Sequence, residues 1–181
     1  MEHKEIVRTM IMISVYKADC FDVFHKVKNK SVNLILCDLP YGKTRNYWDK
    51  VLPFDRLWEE YKRVLADNSV CCLFSQEPFT SKVILSNLKM FKHKWVLIKT
   101  QATGFLGCKK HPLRQYEEMI VFARGRNIYF PQMSIGKAYK AYASRPTSNY
   151  NAFKVKQLTD NNGSRYPTDI KIIKHVAQAL H

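Results

Sequence analysis

The chain has 181 residues, 46% of them apolar, which is enough for one domain with a buried core. Its longest apolar stretches, Met10 to Tyr16 and Val70 to Phe74, are too short to span a bilayer, and no charged-then-apolar leader opens the sequence. A cytoplasmic location is therefore expected. The net charge of +15 is uneven: residues 1–88 hold 13 Lys or Arg against 11 Asp or Glu, and residues 89–181 hold 17 against 4. A polyanion-binding surface is expected in the second half.

In chain order, Met12 to Tyr16 reads as a strand, Phe21 to Val27 as a short helix and Val32 to Cys37 as a buried strand, together a β-α-β unit. Pro53 is followed by apolar residues at helical spacing from Phe54 through Leu57, Trp58, Tyr61, Val64 and Leu65, predicting an amphipathic helix that ends near Asp67-Asn68. Val70 to Phe74 is the next strand. Glu77-Pro78 opens a helix through Val83, Ile84 and Leu88, and Lys94 to Lys99 and Glu117 to Ala123 read as strands around a basic, Gly-containing loop. This alternation predicts a mostly parallel sheet covered by helices. From Arg124 the pattern dissolves into interleaved Gly, Asn, Ser, Tyr and Lys, which predicts a long loop, and Ile170 to Leu180 suggests a terminal helix.

Five cysteines, an odd number with Cys71 and Cys72 adjacent, make no disulfide framework, and no Cys/His spacing suits zinc. Cys37, Cys71 and Cys72 are read as small buried hydrophobes, and no metal is assigned. The chemistry is expected elsewhere, at Asp38-Leu39-Pro40-Tyr41-Gly42, which leaves the end of the Val32–Cys37 strand. Strand ends are where α/β sheets place their sites. A carboxylate there accepts from a substrate amine, Pro40 stiffens the turn and Tyr41 offers a flat face. Those features suit a nucleobase turned out of its duplex.

The pattern resembles the Asp-Pro-Pro-Tyr signature of DNA amino-methyltransferases, with Leu39 in place of the first proline. Further blocks follow the order of the phage and restriction-system branch of that family over about residues 12 to 170. They include Asp19-Cys20, Thr44-Arg45-Asn46, Trp48-Asp49, Leu57 to Arg63, Gln76 to Ser81, Thr103 to Leu106, Pro112-Leu113-Arg114, Pro131-Gln132-Met133 and Arg165 to Thr168. The resemblance implies an α/β S-adenosylmethionine-dependent methyltransferase (Rossmann-like) sheet with a basic, loop-rich recognition region. On that reading residues 10–125 are the catalytic-core portion, 126–170 the DNA-recognition region and 171–181 a divergent tail. The implied activity is methyl transfer from S-adenosylmethionine to the exocyclic amine of adenine, rather than cytosine, in duplex DNA.

Asp38 and the Leu39 carbonyl would accept from that amine and favour the pyramidal nitrogen whose lone pair attacks the methyl group, with Pro40 and Tyr41 completing the catalytic turn. Tyr41 would stack on the base, a contact worth about 1–3 kcal/mol. The resemblance also implies a donor contact at Asp19, although an Asp after a strand is equally a helix cap. Trp48 is expected to pack under the loop after the motif. Arg45, Lys109, Lys110 and Arg114 are candidate phosphate contacts, and His111 is read as solvent-exposed. Lys137, Lys140 and Arg145, interleaved with tyrosines, are candidates in the recognition region. The His-Pro-Thr-Gln-Lys-Pro block and the Gly-rich donor turn, which follow the recognition region in this permuted order, do not occur in the sequence. A truncated enzyme, half of a split enzyme completed by a second polypeptide or by self-association, and a DNA-binding remnant without catalysis are the competing expectations. An apolar sheet edge should be left uncovered.

Overall fold

A computed structural model describes residues 12–126, 129–142 and 158–173. Helix α1 (Cys20–Val23) continues into a 3₁₀ turn at Phe24–Lys26 and leads to strand β1 (Val32–Asp38); α2 (Phe54–Val64) passes directly into β2 (Leu65–Ser75). Next come α3 (Phe79–Ser86), β3 (Phe91–Thr103) and β4 (Arg114–Ala123), then short strands β5 (Ser134–Ile135), β6 (Tyr139–Tyr142), β7 (Leu158–Asn161), β8 (Ser164–Arg165) and β9 (Ile170–Ile173).

The main sheet has the order β1-β2-β4-β3-β9. β1 runs parallel to β2 and β3 to β9, whereas β2/β4 and β3/β4 are antiparallel. The sheet is thus mixed rather than mostly parallel. β3 and β4 are joined by residues 104–113 as a hairpin, and no crossover helix separates them to bring the chain back in the same direction.

The periodicity of α2 has its expected consequence: Leu57, Trp58, Tyr61 and Val64 are buried. Asp55 lies in its first turn and Lys62 and Arg63 in its last, complementing the helix dipole. The helix stops at Val64, earlier than its apolar spacing suggests, because Leu65 is already extended and pairs with Val32. Arg63 fastens this corner by donating to the carbonyls of Phe24 and Val27 and to Glu60. Trp58 packs on Phe122 at 4.7 Å, and Phe79, Leu73 and Ile120 complete a core between α2, α3 and one face of the sheet. Cys71 is fully buried in that core and burial pushes its thiol far above the ordinary value, in keeping with an inert hydrophobe.

The other face lacks a helix among the described residues. Along β1, Ile35 and Cys37 point into the core while Leu34 and Leu36 are 55% and 59% exposed. The outer edge of β1 is likewise unpaired among the described residues. The uncovered apolar edge is therefore present, and the first β-α-β unit is not. Met12 to Tyr16 forms no strand, and Met12, Ile13 and Val15 are more than 80% exposed. Backbone without a ladder partner does not count as strand, whatever its composition.

Two further expectations are corrected downstream. The segment from Ser134 to Arg165 contains two antiparallel pairs, β5/β8 and β6/β7, where a plain loop was expected. Ile170–Ile173 is strand β9 of the main sheet rather than the start of a helix; its three isoleucines are β-branched, and Val96 to Lys99 offer it a parallel edge. Residues 174–181 lie outside the described residues. No described helix is long and apolar enough to cross a membrane.

Candidate active site

Three strand ends meet at one side of the sheet. β1 and β2 are parallel and finish together at Asp38 and Ser75, while antiparallel β4 begins there at Arg114. The loops that leave these ends enclose a cavity of about 670 Å³. Asp38, Leu39, Pro40 and Tyr41 line it from β1, Lys43, Thr44, Trp48 and Asp49 from the following loop, Gln76 from the end of β2 and Arg114 from β4. Every residue of the predicted catalytic turn is thus gathered in one hollow, together with one predicted phosphate contact.

Within the turn, Leu39 is buried and anchors the chain in the core, leaving Asp38 exposed on one side of it. The Tyr41 hydroxyl donates to Asp38 Oδ1 at 2.7 Å. Burial and then the neighbouring Asp38 carboxylate push the Tyr41 phenol far above its ordinary value, so it stays a donor at any physiological pH. Asp38 Oδ2 has no hydrogen-bond partner among the described residues. The Tyr41 ring stacks on buried Phe79, with centroids 4.9 Å apart and planes inclined by 29°. Such a pair contributes about 0.5–1.5 kcal/mol and fixes the ring plane from behind.

The loop after the turn is organised by a residue that spacing alone does not single out. Asp49 is buried, and its carboxylate accepts from the backbone N–H groups of Gly42 at 2.8 Å, Lys43 at 2.9 Å and Thr44 at 2.6 Å. These donors, Thr44 foremost, hold its pKa down at about 2. Gly42 sits at a φ of +67°, and an added Cβ would come within 3.0 Å of Val51 Cγ2, so the tight start of the loop requires glycine. Lys43 then crosses to the β2–α3 turn, where its ammonium donates to the carbonyls of Gln76 and Glu77 and to Gln76 Oε1. Burial, and next the nearby Arg114 charge, lower its pKa. The only sequence signal for this arrangement was Gly42 seven residues before an acid; the Lys43–Gln76 contact spans 33 residues and leaves no local trace.

Other expected residues fall outside this hollow. Asp19 caps α1, with Oδ1 accepting from Phe21 N at 2.8 Å. Trp48 is 61% exposed and lines the cavity instead of packing beneath the loop, because Asp49 occupies the interior position. Arg45, Lys109 and Lys110 are exposed and do not line the cavity. His111 is exposed, as expected, with its ring against Gly107. Lys137 is exposed and its carbonyl accepts from Arg165 at 2.5 Å, while Lys140 lies 3.8 Å from Asp160 in a solvent-exposed pair. Arg145 lies outside the described residues. Among the described residues no group of His, Cys, Asp and Glu could hold a metal ion.

No protein-family model and no curated protein matches the chain. Solved structures do. The structure described as the M1.HpyAVI–SAM complex is 16% identical, with a TM-score of 0.50, over 75% of this chain and 66% of that one. PvuII DNA methyltransferase, described as cytosine-N4-specific, is 8% identical, with a TM-score of 0.52, over 90% of this chain and 57% of that one. The chain thus spans about 57% to 66% of the length of these structures. Its mixed α/β sheet has the fold of S-adenosylmethionine-dependent DNA methyltransferases.

Proposed function

We propose that the chain carries the methyl-acceptor half of a DNA amino-methyltransferase acting on adenine in duplex DNA, with S-adenosylmethionine as donor. The observation that carries this reading is the convergence of Asp38, the Tyr41–Phe79 stack and Arg114 in one hollow at the ends of three strands. Asp38 Oδ2 and the Leu39 carbonyl are the acceptors for the amine hydrogens of a flipped base. The Tyr41 ring, backed by Phe79, receives the base, and Arg114 together with Lys43, whose ammonium lies over that ring 5.8 Å from its centroid, supplies positive charge for the neighbouring phosphates. Trp48, exposed at the margin, is the group that would shield the base from water.

S-adenosylmethionine, when bound, supplies an electrophilic methyl group on a sulfonium. Asp19, which has a carboxylate oxygen without a partner among the described residues, is the group by which this chain would meet the cationic donor, and the negative charge of Asp38, whose Oδ2 is given to the amine, would face the same cation. The remaining contacts are assigned to a polypeptide segment that pairs with the open edge of β1 and covers Leu34 and Leu36, supplied by a second polypeptide or by a second copy of this chain. That assignment rests on the exposed apolar face and the unpaired edge of β1 among the described residues.

Calorimetric titration of the purified chain with S-adenosylmethionine, with and without duplex DNA, tests the reading. Saturable donor binding is expected once the β1 edge is completed. Salt-sensitive duplex binding with no donor binding, in the presence of the completing partner or at concentrations where the chain self-associates, favours a DNA-binding protein without catalysis. The 17-to-4 excess of cations over carboxylates in residues 89–181 supports that second reading.

A further inference from the structure

The hairpin that joins β3 to β4 overhangs the Asp38 hollow, and the methylation chemistry makes no use of its tip. Ser75, the last residue of β2, pairs with Glu118, so the stretch of β4 from Glu117 back to Arg114 projects beyond it. Arg114 lines the hollow and pairs with Thr103, the last residue of β3. Residues 104–113 therefore stand beyond the same end of the sheet as Asp38. At their tip a 3₁₀ turn spans Phe105–Gly107. It presents two large apolar side chains to solvent: Phe105 is 77% exposed and Leu106 is fully exposed. A single exposed leucine requires no explanation, but two adjacent apolar side chains of this size at the end of a hairpin are surface for a partner to cover.

The turn is bonded within itself. Gly107 N–H donates to the Gly104 carbonyl at 3.0 Å, Cys108 N–H to Phe105 at 3.1 Å, and the N–H groups of Lys110 and His111 both donate to Gly107, at 2.8 and 3.1 Å. The His111 ring covers Gly107 so closely that an added Cβ there would collide with it. The two apolar side chains are thus held outward before any partner arrives, which reduces the ordering cost of binding. Charge narrows the choice of partner. Residues 100–116 contain Lys109, Lys110, His111 and Arg114 and no Asp or Glu, and neither Lys109 nor Lys110 forms an ion pair among the described residues. A second copy of this chain, itself carrying +15, is repelled by such a surface. Duplex DNA fits it, with phosphates for the cations and stacked bases for the apolar pair.

We propose that Phe105 and Leu106 form a wedge that enters the base stack of duplex DNA and fills the gap left when a base turns into the Asp38 hollow, with Lys109 and Lys110 on the flanking phosphates. The inference rests on the base-flipping reading of that hollow. A base that leaves the stack exposes the faces of its two neighbours, and apolar side chains inserted there restore part of the lost contact. The flipped base and its gap belong to one nucleotide, so the wedge has to stand beside the hollow. A hairpin whose first β4 residue is also part of the hollow's lining meets that requirement.

The test is fluorescence anisotropy of the full chain on a labelled mixed-sequence duplex and on the same duplex with one adenine replaced by an abasic site. The abasic duplex has its gap already formed and offers no base to the hollow, so the comparison reads the wedge independently of Asp38 and of methylation. The wild-type chain should bind the abasic duplex about tenfold more tightly than the intact one. Phe105→Ala/Leu106→Ala should lose that preference, with affinity for the intact duplex within a few fold and an unchanged slope of log affinity against log salt. Phe105→Met/Leu106→Met, which keeps apolar bulk at the tip, should retain it. Lys109→Gln/Lys110→Gln should keep the preference and reduce the salt slope by about 2. A preference found in a chain that does not methylate keeps the wedge and removes only the catalytic reading. No preference in the wild-type chain, or one that survives Phe105→Ala/Leu106→Ala, overturns the proposal. A surviving preference accompanied by lost binding to phosphatidylserine vesicles assigns the tip to a membrane surface instead.

Discussion

Two acids decide the behaviour of the Asp38 hollow, and their environments differ. Asp38 is exposed and held by one hydroxyl, whereas Asp49 is buried and held by three consecutive backbone N–H groups. Because the pKa of Asp49 is depressed from an ordinary 3.8 to about 2 in the folded chain, its contribution to loop order is complete above about pH 4. It is lost as the pH falls through about 2. Hydrogen-exchange protection of the Gly42, Lys43 and Thr44 amides should follow that course, and Asp49→Asn should remove it at neutral pH while the core sheet keeps its protection. Protection that is unchanged in Asp49→Asn would remove Asp49 from its organising role. Arg114 has a different kind of effect: if it meets a phosphate, Arg114→Ala should weaken duplex binding on all sequences and reduce the slope of log affinity against log salt by about 1. Of these residues, Asp38 and Tyr41 were legible in the sequence because acid, proline and aromatic fall within four residues after an apolar run. Asp49 and Lys43 were not, because their partners are backbone groups that any sequence possesses and, for Lys43, also a Gln76 side chain 33 residues away.

At the scale of elements, α2 and β1 illustrate what a one-dimensional pattern conveys. The apolar spacing of α2 translated directly into burial, and Leu57, fully buried in its middle, should cost about 2–5 kcal/mol on Leu57→Ala, measured by urea unfolding. The strand at Val32–Cys37 was also legible, but its apolar run continues on both faces, and among the described residues only one is covered. A run of that kind announces burial without naming what buries it. Replacing Leu34 and Leu36 by glutamate should therefore change unfolding free energy by no more than about 0.5 kcal/mol each, as for other surface sites. The same double change should abolish concentration-dependent association in sedimentation and any donor binding that depends on it. A large loss of stability in the isolated chain would instead mean that this face is already packed. Met12–Tyr16 and Ile170–Ile173 were misread for a related reason. Whether an apolar segment becomes strand is settled by pairing and not by composition: Ile170–Ile173 pairs with β3, whereas Met12–Tyr16 pairs with no strand among the described residues although the outer edge of β1 is open there.

For the molecule as a whole, charge and chemistry are separated along the chain. The Asp38 hollow is built mainly by residues before 77, with Arg114 as the contribution from beyond, while the cationic excess lies after residue 88. Duplex affinity should accordingly fall steeply with salt, by about 10³ to 10⁵ between 50 and 200 mM if six to ten phosphates are contacted. The central claim is that Asp38 acts on the amine of a flipped base, and the most direct measurement is nucleoside-level mass spectrometry of DNA. The DNA would be unmethylated duplex incubated with donor and with chain shown to bind both. The account predicts N6-methyladenine with the wild-type chain and none with Asp38→Ala, whose duplex affinity stays within a few fold. No methylated base despite bound donor and duplex, or methylation that survives Asp38→Ala, would contradict it.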